Sequence, residues 1–435
     1  MLKIGCAEKE LEVPLLAELY GYGPYAERKN RGVASPLYCR AFSFFDGKNR
    51  AMVIYSDICS TDDAYAREMR ARIATTHNMN PDGIAFVTTH THSAPAVYSD
   101  YKAMTTGIPH PEFQKTWKAA VMHVAKKAIA NEEEISAVYA GKAPLDRPIG
   151  KNRVHREENI TDPSIRWIRF DRADGSTKVL LHNHGVHGIA CNGSMYKFAS
   201  PDWMGSANRI IKERGLAEMP LFMLGPAGNI NTRTSCLSEK NNNEFDVLGE
   251  EYVNYLQRDL ANGVKLNADE ISFSLKTVEF PTVVKSIDEL KQEIATFRSM
   301  GKSQAEKDYW EVNAKRLEEM CFLLEKGKDL SVWHDMQVLR IGGIEIMFVP
   351  GELYVQPGIE ILEKAKCDFP VVATVSNGNG AYYFTEDTAK KYPDPSHFDD
   401  GPVFGFYEIY LYMHTYRFKY ADNIADFVVN TLLEM

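Results

Sequence analysis

Short runs rich in β-branched and aromatic residues alternate with helix-like segments along this 435-residue chain. The runs that read as strands are 40–46, 50–57, 83–89, 166–171, 178–182, 220–225, 336–349 and 370–375. Apolar residues at helical spacing, after acidic or proline starts, predict helices over 62–76 and 111–130. Such alternation is typical of α/β proteins, so we expect mixed β-sheets flanked by helices.

The segment 286–327 departs from this alternation. Ser286 and Glu289 match a capping box, and apolar stripes at helical spacing follow on two successive segments. Stripes of this kind are typical of packing faces rather than of ligand sites. We therefore expect a helical hairpin inserted into a single α/β domain that spans residues 1–435.

Composition restricts the partners of the chain. With 44% hydrophobic and 25% charged residues, the chain is expected to bury a large core. A net charge of −9 and no lysine- or arginine-rich block argue against nucleic acid as a partner. No apolar run is long enough to cross a bilayer, so no transmembrane segment is expected. Seven cysteines without CxxC spacing indicate reduced thiols rather than a disulfide framework.

The N-terminus leads directly into strand-like sequence. It has no basic region, apolar region and cleavage site in the order that a signal peptide requires. This predicts a cytoplasmic protein, or a periplasmic or secreted one if a leader has been removed. The oligomeric state has no signal in the sequence.

Two histidines follow the predicted strand 83–89 in the segment VTTHTHSAPA, residues 87–96. Because alternate residues of a strand point the same way, His90 and His92 can face one cavity. Strand ends are also where α/β sheets bind ligands. The pair alone fits a metal site, a nucleophile site that uses Ser93, or a polar loop.

A second histidine cluster follows another apolar strand, in LLHNHGVHG. Imidazole is the commonest ligand for metals such as zinc, so two clusters at strand ends suggest one shared metal site. His182 and His184 would share a face of the strand, whereas His187 lies beyond it. Spacing therefore leaves the choice among the three open.

Three other residues are weak site candidates when each is considered alone, and they become relevant only together with the histidines. Glu352 lies in a Pro-Gly turn after the strand IEIMFV, where a solvated glutamate is the ordinary outcome. Tyr382 follows a Gly- and Asn-rich turn, and Tyr407 lies in GFYE. Both tyrosines are also consistent with half-buried core positions.

In chain order, these segments resemble the neutral, non-lysosomal ceramidase family and its shorter bacterial relatives of unassigned substrate. The motifs that carry the resemblance are PLYCRAF near residue 40, THTHS at 89–93, NHGVHG at 183–188, SPDWMG at 200–205, PGE at 350–352, Asn377 to Tyr382, and GFYE at 405–408. The resemblance implies the N-terminal catalytic domain of the family, without its extra C-terminal β-domain.

The resemblance also implies roles for individual residues. Carried over position by position, the zinc ligands fall on His90, His187, Glu352 and Tyr382. His92 matches the histidine that stabilises charge on the substrate oxygen, and Tyr407 matches the tyrosine that assists it. Arg153, in GKNRV, resembles an active-site arginine of the family.

One departure from the family concerns a loop. Family members carry an active-site serine in GDVSPN, whereas this chain has GPAGNIN at 225–231, with Gly228 at the position of the serine. The resemblance therefore does not imply ceramide as the substrate. We expect the loop, with Gly225, Gly228 and Asn229, to approach the substrate closely and to donate N–H groups to an oxyanion.

These features predict a zinc-dependent hydrolase that cleaves an amide or ester bond with zinc-activated water. The substrate would be a small-molecule, lipid or sugar amide. Polar residues beside the predicted metal, Asn183, His184 and Asn192, also allow a carbohydrate-modifying metalloenzyme or lyase on the same scaffold. A metal-retaining binding protein is a further alternative. An amidohydrolase barrel is disfavoured, because regular eightfold strand and helix spacing is absent.

Overall fold

Mixed β-sheets and flanking helices make up the fold, as a computed structural model of the chain shows. The described residues are 1–22, 28–98, 108–233, 244–301, 304–393, 404–410 and 417–435. Within them lie three sheets of four or five strands and two small two-stranded sheets. The α/β class expected from the sequence is therefore confirmed.

The first sheet contains the HxH segment at one strand end. Its strands, in chain order, are β1 Lys3–Leu11, β2 Leu37–Phe45, β3 Arg50–Ser56, β4 Ile84–Thr88 and β5 Glu133–Glu134. Their spatial order is β4-β3-β2-β1-β5, and only the β3–β4 pair is parallel. The parallel β4 is buried along its whole length, in accordance with its continuous apolar sequence.

The second sheet carries the other histidine cluster. Its strands are β6 Ala137–Pro144, β8 Ser164–Asp171, β9 Thr177–His184, β10 Met219–Leu224 and β12 Val264–Leu266. They lie in the order β10-β9-β8-β6-β12, with β9 and β10 parallel. Beside this sheet, β7 Gly150–Asn152 pairs with β11 Ile230–Thr232.

The third sheet corrects one predicted strand. Its strands are β13 Ile271–Phe280, β14 Val332–Ile341, β15 Ile344–Phe348 and β17 Phe369–Ala373. The run 336–349, predicted as one strand, contains most of β14 and all of β15, which form an antiparallel pair around Gly342 and Gly343. Gly342 adopts a φ of 55°, which permits this tight turn. A further pair, β16 Glu352–Leu353 and β18 Tyr382–Tyr383, is parallel.

Several of the described helices pack against the strands of the sheets. They are α1 Asp63–His77, α2 Pro111–Ala130, α3 Asp202–Glu213, α4 Glu244–Asp259, α5 Ile287–Ser299, α6 Gln304–Glu325, α7 Val355–Lys364, α8 Glu386–Lys391, α9 Phe406–Tyr410 and α10 Ile424–Leu433. The predicted helices 62–76 and 111–130 correspond to α1 and α2. Asp62 caps α1 by accepting from the backbone N–H of Tyr65. No helix in the described part of the chain combines the length and the apolar character needed to cross a membrane.

The two helices predicted for 286–327 are present as α5 and α6. The capping box of Ser286 and Glu289 is formed, with both reciprocal hydrogen bonds. Phe297 and Trp310 stack between the two helices with ring centroids 5.3 Å apart. Their stripes share a hydrophobic cluster with β14 and α10, so they are packing faces. The division of the chain into one domain and an insertion stays a prediction.

The strand ends of the three sheets meet around one shared core. Asn183, on β9, donates to the carbonyl groups of Met223 on β10 and Val372 on β17, both at 2.9 Å. Asn377, just after β17, bonds the backbone of Phe86 on β4 in both directions at 2.9 Å. Because β15 pairs with β17, these bonds place the segments that follow β4, β9 and β15 side by side.

Candidate metal centre

His90 and His92 follow β4 in a segment that is fixed by backbone hydrogen bonds. The N–H of His90 donates to the carbonyl of Ile58, and the N–H of His92 donates to that of Gly188. His90 has a φ of 57°, an unfavourable left-handed conformation for a residue with a side chain. Such backbone strain persists where surrounding contacts impose it, and it is concentrated at functional sites.

The second cluster divides into two core histidines and one site histidine. His182 bonds Tyr252 through Nδ1 and Asn208 through Nε2, at 3.0 and 2.9 Å. His184 bonds the carbonyl of Ser164 at 3.1 Å. Both lie within β9, whereas His187 lies three residues beyond its end. The structure thus brings His187 to the HxH segment and leaves the other two in the core.

Glu352 and Tyr382 are direct neighbours in the small parallel sheet of β16 and β18. The N–H of Glu352 donates to the carbonyl of Ala381 at 2.7 Å. Directly paired residues on adjacent strands project to the same face of a sheet. The pairing therefore places Tyr382 beside Glu352, and both side chains are buried.

Three side-chain donors converge where these segments meet. Oε2 of Glu352 lies 3.0 Å from Nε2 of His187 and 3.4 Å from Nε2 of His90. Nδ1 of each histidine bonds a carbonyl, Cys59 for His90 and Ile230 for His187, both at 2.9 Å. Bonds of this kind orient metal-binding imidazoles by leaving Nε2 for the cation. Tetrahedral zinc ligands with bonds of 2.0–2.1 Å are about 3.3 Å apart, so the donor spacing fits a metal ion.

Glu352 shifts the pKa of both histidines, and both histidines shift the pKa of Glu352. Burial opposes ionisation of Glu352, but His90 and His187 outweigh it and hold the pKa of its carboxyl well below the ordinary value. Burial, with Arg153, lowers the pKa of His187 to about 4. Burial also disfavours charge on His90, yet Cys59 and Glu352 raise its pKa well above the ordinary value. A cation must displace that proton, so metal binding should weaken as the pH falls.

His92 borders the three donors without joining them. Its Nε2 lies 3.4 Å from Nε2 of His90, and its ring centroid lies 5.6 Å from that of His187. Burial, together with the nearby His90 and His187, lowers the pKa of His92 well below its ordinary value. The imidazole is therefore neutral and can present an N–H to the site.

Arg153 lies next to Tyr382. Its guanidinium carbon is 5.4 Å from the centroid of the Tyr382 ring, and its Nε is 2.8 Å from Oε1 of Glu408. Burial alone would lower the pKa of Arg153, but Glu408 and Tyr382 raise it instead. The half-buried Tyr407 has its ring centroid 5.8 Å from that of Tyr382.

The loop of Gly225, Gly228 and Asn229 supports the site from behind. The N–H of Gly225 donates to the carbonyl of His184, and that of Gly228 donates to the carbonyl of Leu353, both at 2.9 Å. These two N–H groups are already used, so they are not oriented toward an oxyanion. A Cβ at Gly228 would lie 3.0 Å from the Glu352 carbonyl carbon and would clash with the carbonyl oxygen. Glycine is therefore needed for close contact with the Glu352 backbone.

Several supporting residues were not predicted from the sequence. Asp202, in the SPDWMG motif, accepts from the N–H groups of Ala190 and Cys191, and Trp203 donates to the carbonyl of His187 at 3.0 Å. The sequence identified SPDWMG as a motif but not its purpose. The fold shows that Asp202 and Trp203 hold the loop that contains His187. Cys59, with Sγ 3.5 Å from Nδ1 of His90, carried no signal in the sequence.

Three polar residues were predicted to lie beside the metal, and the structure does not place all of them there. Asn183 bonds carbonyl groups of the sheets, and His184 bonds Ser164, so neither faces the three donors. Asn192 is different, because its Oδ1 accepts from the hydroxyl of Tyr22 at 3.2 Å. The Tyr22 ring in turn contacts the edge of His92, with centroids 4.9 Å apart.

Comparisons with known proteins bear on the family and the fold of the chain. Residues 4–219 match the family model described as neutral/alkaline non-lysosomal ceramidase, N-terminal. The fold is similar to that of the neutral ceramidase from Pseudomonas aeruginosa, with a TM-score of 0.71 and 16% identity over 99% of this chain and 75% of that one. A ceramidase structure described as complexed with C2 matches with a TM-score of 0.69 and 15% identity, over 95% of this chain and 75% of that one. The resemblance to the neutral/alkaline non-lysosomal ceramidase family is thereby confirmed, by sequence over residues 4–219 and by fold over nearly the whole chain.

Proposed function

We propose that the protein is a zinc-dependent hydrolase that cleaves an amide or ester bond. The observation that carries this proposal is the convergence of His90, His187 and Glu352. Oε2 of Glu352 lies 3.0 Å from Nε2 of His187 and 3.4 Å from Nε2 of His90. Tyr382, the strand partner of Glu352, would be the fourth ligand. The similarity to ceramidases supports hydrolysis, and the donor set supports zinc, which binds nitrogen and oxygen ligands and can expand to five-coordinate, so that a water could bind beside these four ligands.

The donor set fits a zinc ion chemically as well as by spacing. Two neutral imidazoles and one carboxylate leave a net positive centre, and each imidazole is oriented by a carbonyl at Nδ1. When bound, zinc lowers the pKa of water from 15.7 toward about 7 and polarises the carbonyl under attack.

In this proposal, His92 stabilises charge that develops on the substrate oxygen. Its imidazole is neutral, and its Nε2 points toward the proposed metal ligands, 3.4 Å from Nε2 of His90. An Nε2–H at this position can donate to an oxygen that becomes negative during the reaction. Tyr407 would add a second donor from the side of Tyr382. Loss of one such donor typically lowers turnover by roughly 10²–10³-fold.

Arg153 would orient the substrate and Tyr382. Its charge is balanced by Glu408, and its Nη2 has no hydrogen-bond partner in the described part of the chain. A buried, unpartnered donor beside a reaction centre is suited to a polar substrate atom. The loop of Gly225, Gly228 and Asn229 would serve to position Glu352 rather than to donate to the oxyanion.

Ceramide itself is not the substrate that we propose. The family serine is absent, and Gly228 packs against the Glu352 backbone without room for a side chain. A carbohydrate substrate is the second candidate, because the half-buried Tyr22 lies beside His92 and its ring centroid is 5.7 Å from that of the half-buried Tyr196. Aromatic faces with polar tips suit a hydroxylated ring better than a long acyl chain.

A substrate panel tests this function. Zinc-loaded protein and His92→Ala would be assayed on N-acyl lipids, simple acyl esters, N-acetyl sugars and unsubstituted glycosides. We expect release of an acyl group by the wild type, and a loss of roughly 10²–10³-fold in kcat for His92→Ala with zinc retained. Glycoside cleavage without acyl release would favour the carbohydrate-modifying enzyme or lyase. Inertness toward every class would favour a binding protein.

A further inference from the structure

A buried arginine, Arg28, lies behind His92 and has no acidic partner among the described residues. It is 1% exposed, and none of the described carboxylates forms an ion pair with it. An arginine side chain stays protonated at any physiological pH. A buried charge without a counter-ion is costly, so a structure that keeps one has a use for its geometry or its charge.

The guanidinium of Arg28 joins three backbone carbonyl groups from separate segments. Nη2 donates to the carbonyl of Tyr20 at 2.9 Å and to that of His92, and Nη1 donates to that of Tyr196 at 3.4 Å. One side chain thus connects the segment before residue 23, the HxH segment and the loop after β9.

The same guanidinium stacks between two tyrosine rings. Its central carbon lies 4.4 Å from the centroid of Tyr22 and 5.0 Å from that of Tyr196. Tyr22 in turn presents its ring to the edge of His92, with an angle of 78° between the planes. Gly21 lies against the same imidazole, and a Cβ there would clash with the His92 ring. The imidazole is therefore held from behind by Gly21 and Tyr22.

We propose that Arg28 is a positioning residue of the hydrolytic site, which fixes the His92 imidazole toward the metal ligands. It does so through the His92 carbonyl and through Tyr22, and it touches neither the ligands nor the substrate. This proposal rests on the proposed role of His92. A misplacement of about 1 Å in a reacting group can cost about 10²-fold in rate.

The chain offers a matched control in Arg40. Arg40 is also buried, and its guanidinium carbon lies 5.0 Å from the rings of both Tyr38 and Tyr55. It pairs with Glu8, through Nε and Oε2 at 3.1 Å, and it is not among the residues of the metal centre. Arg40→Met therefore reports the loss of a buried, stacked arginine without an effect on His92.

The experiment compares zinc-loaded wild type, Arg28→Met, Arg40→Met, His92→Ala and the double variant Arg28→Met/His92→Ala. Zinc content, unfolding midpoint, binding of acetohydroxamic acid by calorimetry and hydrolysis of 4-nitrophenyl acetate would be measured for each. If Arg28→Met does not fold, Arg28→Lys, which keeps the charge without the planar stack, takes its place.

We expect Arg28→Met to lower kcat about 10²-fold, with zinc content unchanged and KM within about threefold. Acetohydroxamic acid should bind about tenfold more weakly, because in this proposal a metal-bound oxygen of the inhibitor would accept from His92. The double variant should be no slower than His92→Ala alone, since coupled residues do not add. Arg40→Met should keep kcat within about twofold, although it also lowers the unfolding midpoint.

Three results would overturn the proposal: additive losses in the double variant, loss of zinc from Arg28→Met, or an equal loss of kcat in Arg40→Met. Failure of the proposed function would look different. In that case the zinc-loaded wild type would not turn over the ester, or His92→Ala would match it. Acetohydroxamic acid binding would then still decide whether Arg28 acts on the His92 side of the site.

Discussion

At the residue scale, His182 and His187 show that burial alone does not define a metal ligand. Both are fully buried, and burial lowers the pKa of each to about 4. His182 uses both ring nitrogens on Tyr252 and Asn208, whereas His187 has Nε2 directed at Glu352. The partner of the second nitrogen separates a core histidine from a candidate ligand.

A substitution at Gly228 tests whether this glycine is needed to position Glu352. Gly228→Ser would restore the residue type found in the family, but the new side chain would push on the carbonyl group of Glu352. We expect a loss of about 1–3 kcal/mol in the free energy of unfolding. Because Glu352 moves, zinc affinity should also fall by roughly 10-fold or more. Calorimetry with zinc and thermal unfolding would measure the two effects.

Gly175→Ser provides the control for this variant. Gly175 has open space around it but a φ of 84°, so only backbone strain should appear, at about 1–2 kcal/mol. Zinc affinity should not change. Ceramide hydrolysis by Gly228→Ser, with normal zinc binding, would contradict the role given to this glycine.

At the element scale, two short structures position the acidic half of the site. The β16–β18 pair sets Glu352 next to Tyr382, and α7 begins three residues after Glu352. Asn229 joins the loop to this helix, since its Oδ1 accepts from the N–H of Val355 and its Nδ2 donates to Gln356, both at 2.9 Å. It therefore acts as a capping group from a distant part of the chain.

The contribution of this cap can be measured. Asn229→Ala should lower the free energy of unfolding by about 1 kcal/mol, because an N–H at the start of α7 loses its acceptor. Zinc affinity should fall by about 10-fold, because α7 begins three residues after Glu352 and a displaced helix start would move that carboxylate. Asp62→Ala, which removes the side-chain cap of α1, should lower the free energy of unfolding by a similar amount and leave zinc affinity unchanged. Equal behaviour of the two variants in thermal unfolding and zinc titration would show that the cap does not position Glu352.

Elements with local signals could be predicted from the sequence. Asp62 and the capping box of Ser286 and Glu289 marked helix starts correctly, because capping depends on neighbouring residues. The run 336–349 was wrongly predicted as one strand, since two buried strands around a Gly-Gly turn give an unbroken apolar pattern. The β16–β18 pair carried no local signal at all.

At the scale of the whole molecule, the candidate site depends on the way in which three sheets meet. His187 and Glu352 are separated by 165 residues and approach only because β4, β9 and β17 end at one place. Spacing left the choice between His182, His184 and His187 open, and only the resemblance pointed to His187. Arg28, Cys59 and Asp202 act through contacts between segments, which no local pattern contains.

The buried His182 is expected to make the stability of the protein depend on pH. Burial lowers the pKa of His182 from 6.5 to about 4, so between these values the unfolded chain binds a proton that the folded protein does not. Stability from this group is complete above pH 6.5 and falls, by up to about 3 kcal/mol, as the pH drops to 4. In zinc-free protein, the stability difference between wild type and His182→Gln should shrink by that amount. A constant difference in urea unfolding across this range would contradict the assignment.

X-ray absorption at the zinc edge, on protein purified without added metal, tests the central claim most directly. We predict about one zinc ion per chain, with nitrogen and oxygen ligands at roughly 2.0–2.1 Å and imidazole scattering from two histidines. A protein without zinc would contradict the account. So would a sulfur ligand at roughly 2.3 Å, which would assign the metal to Cys59 rather than to Glu352.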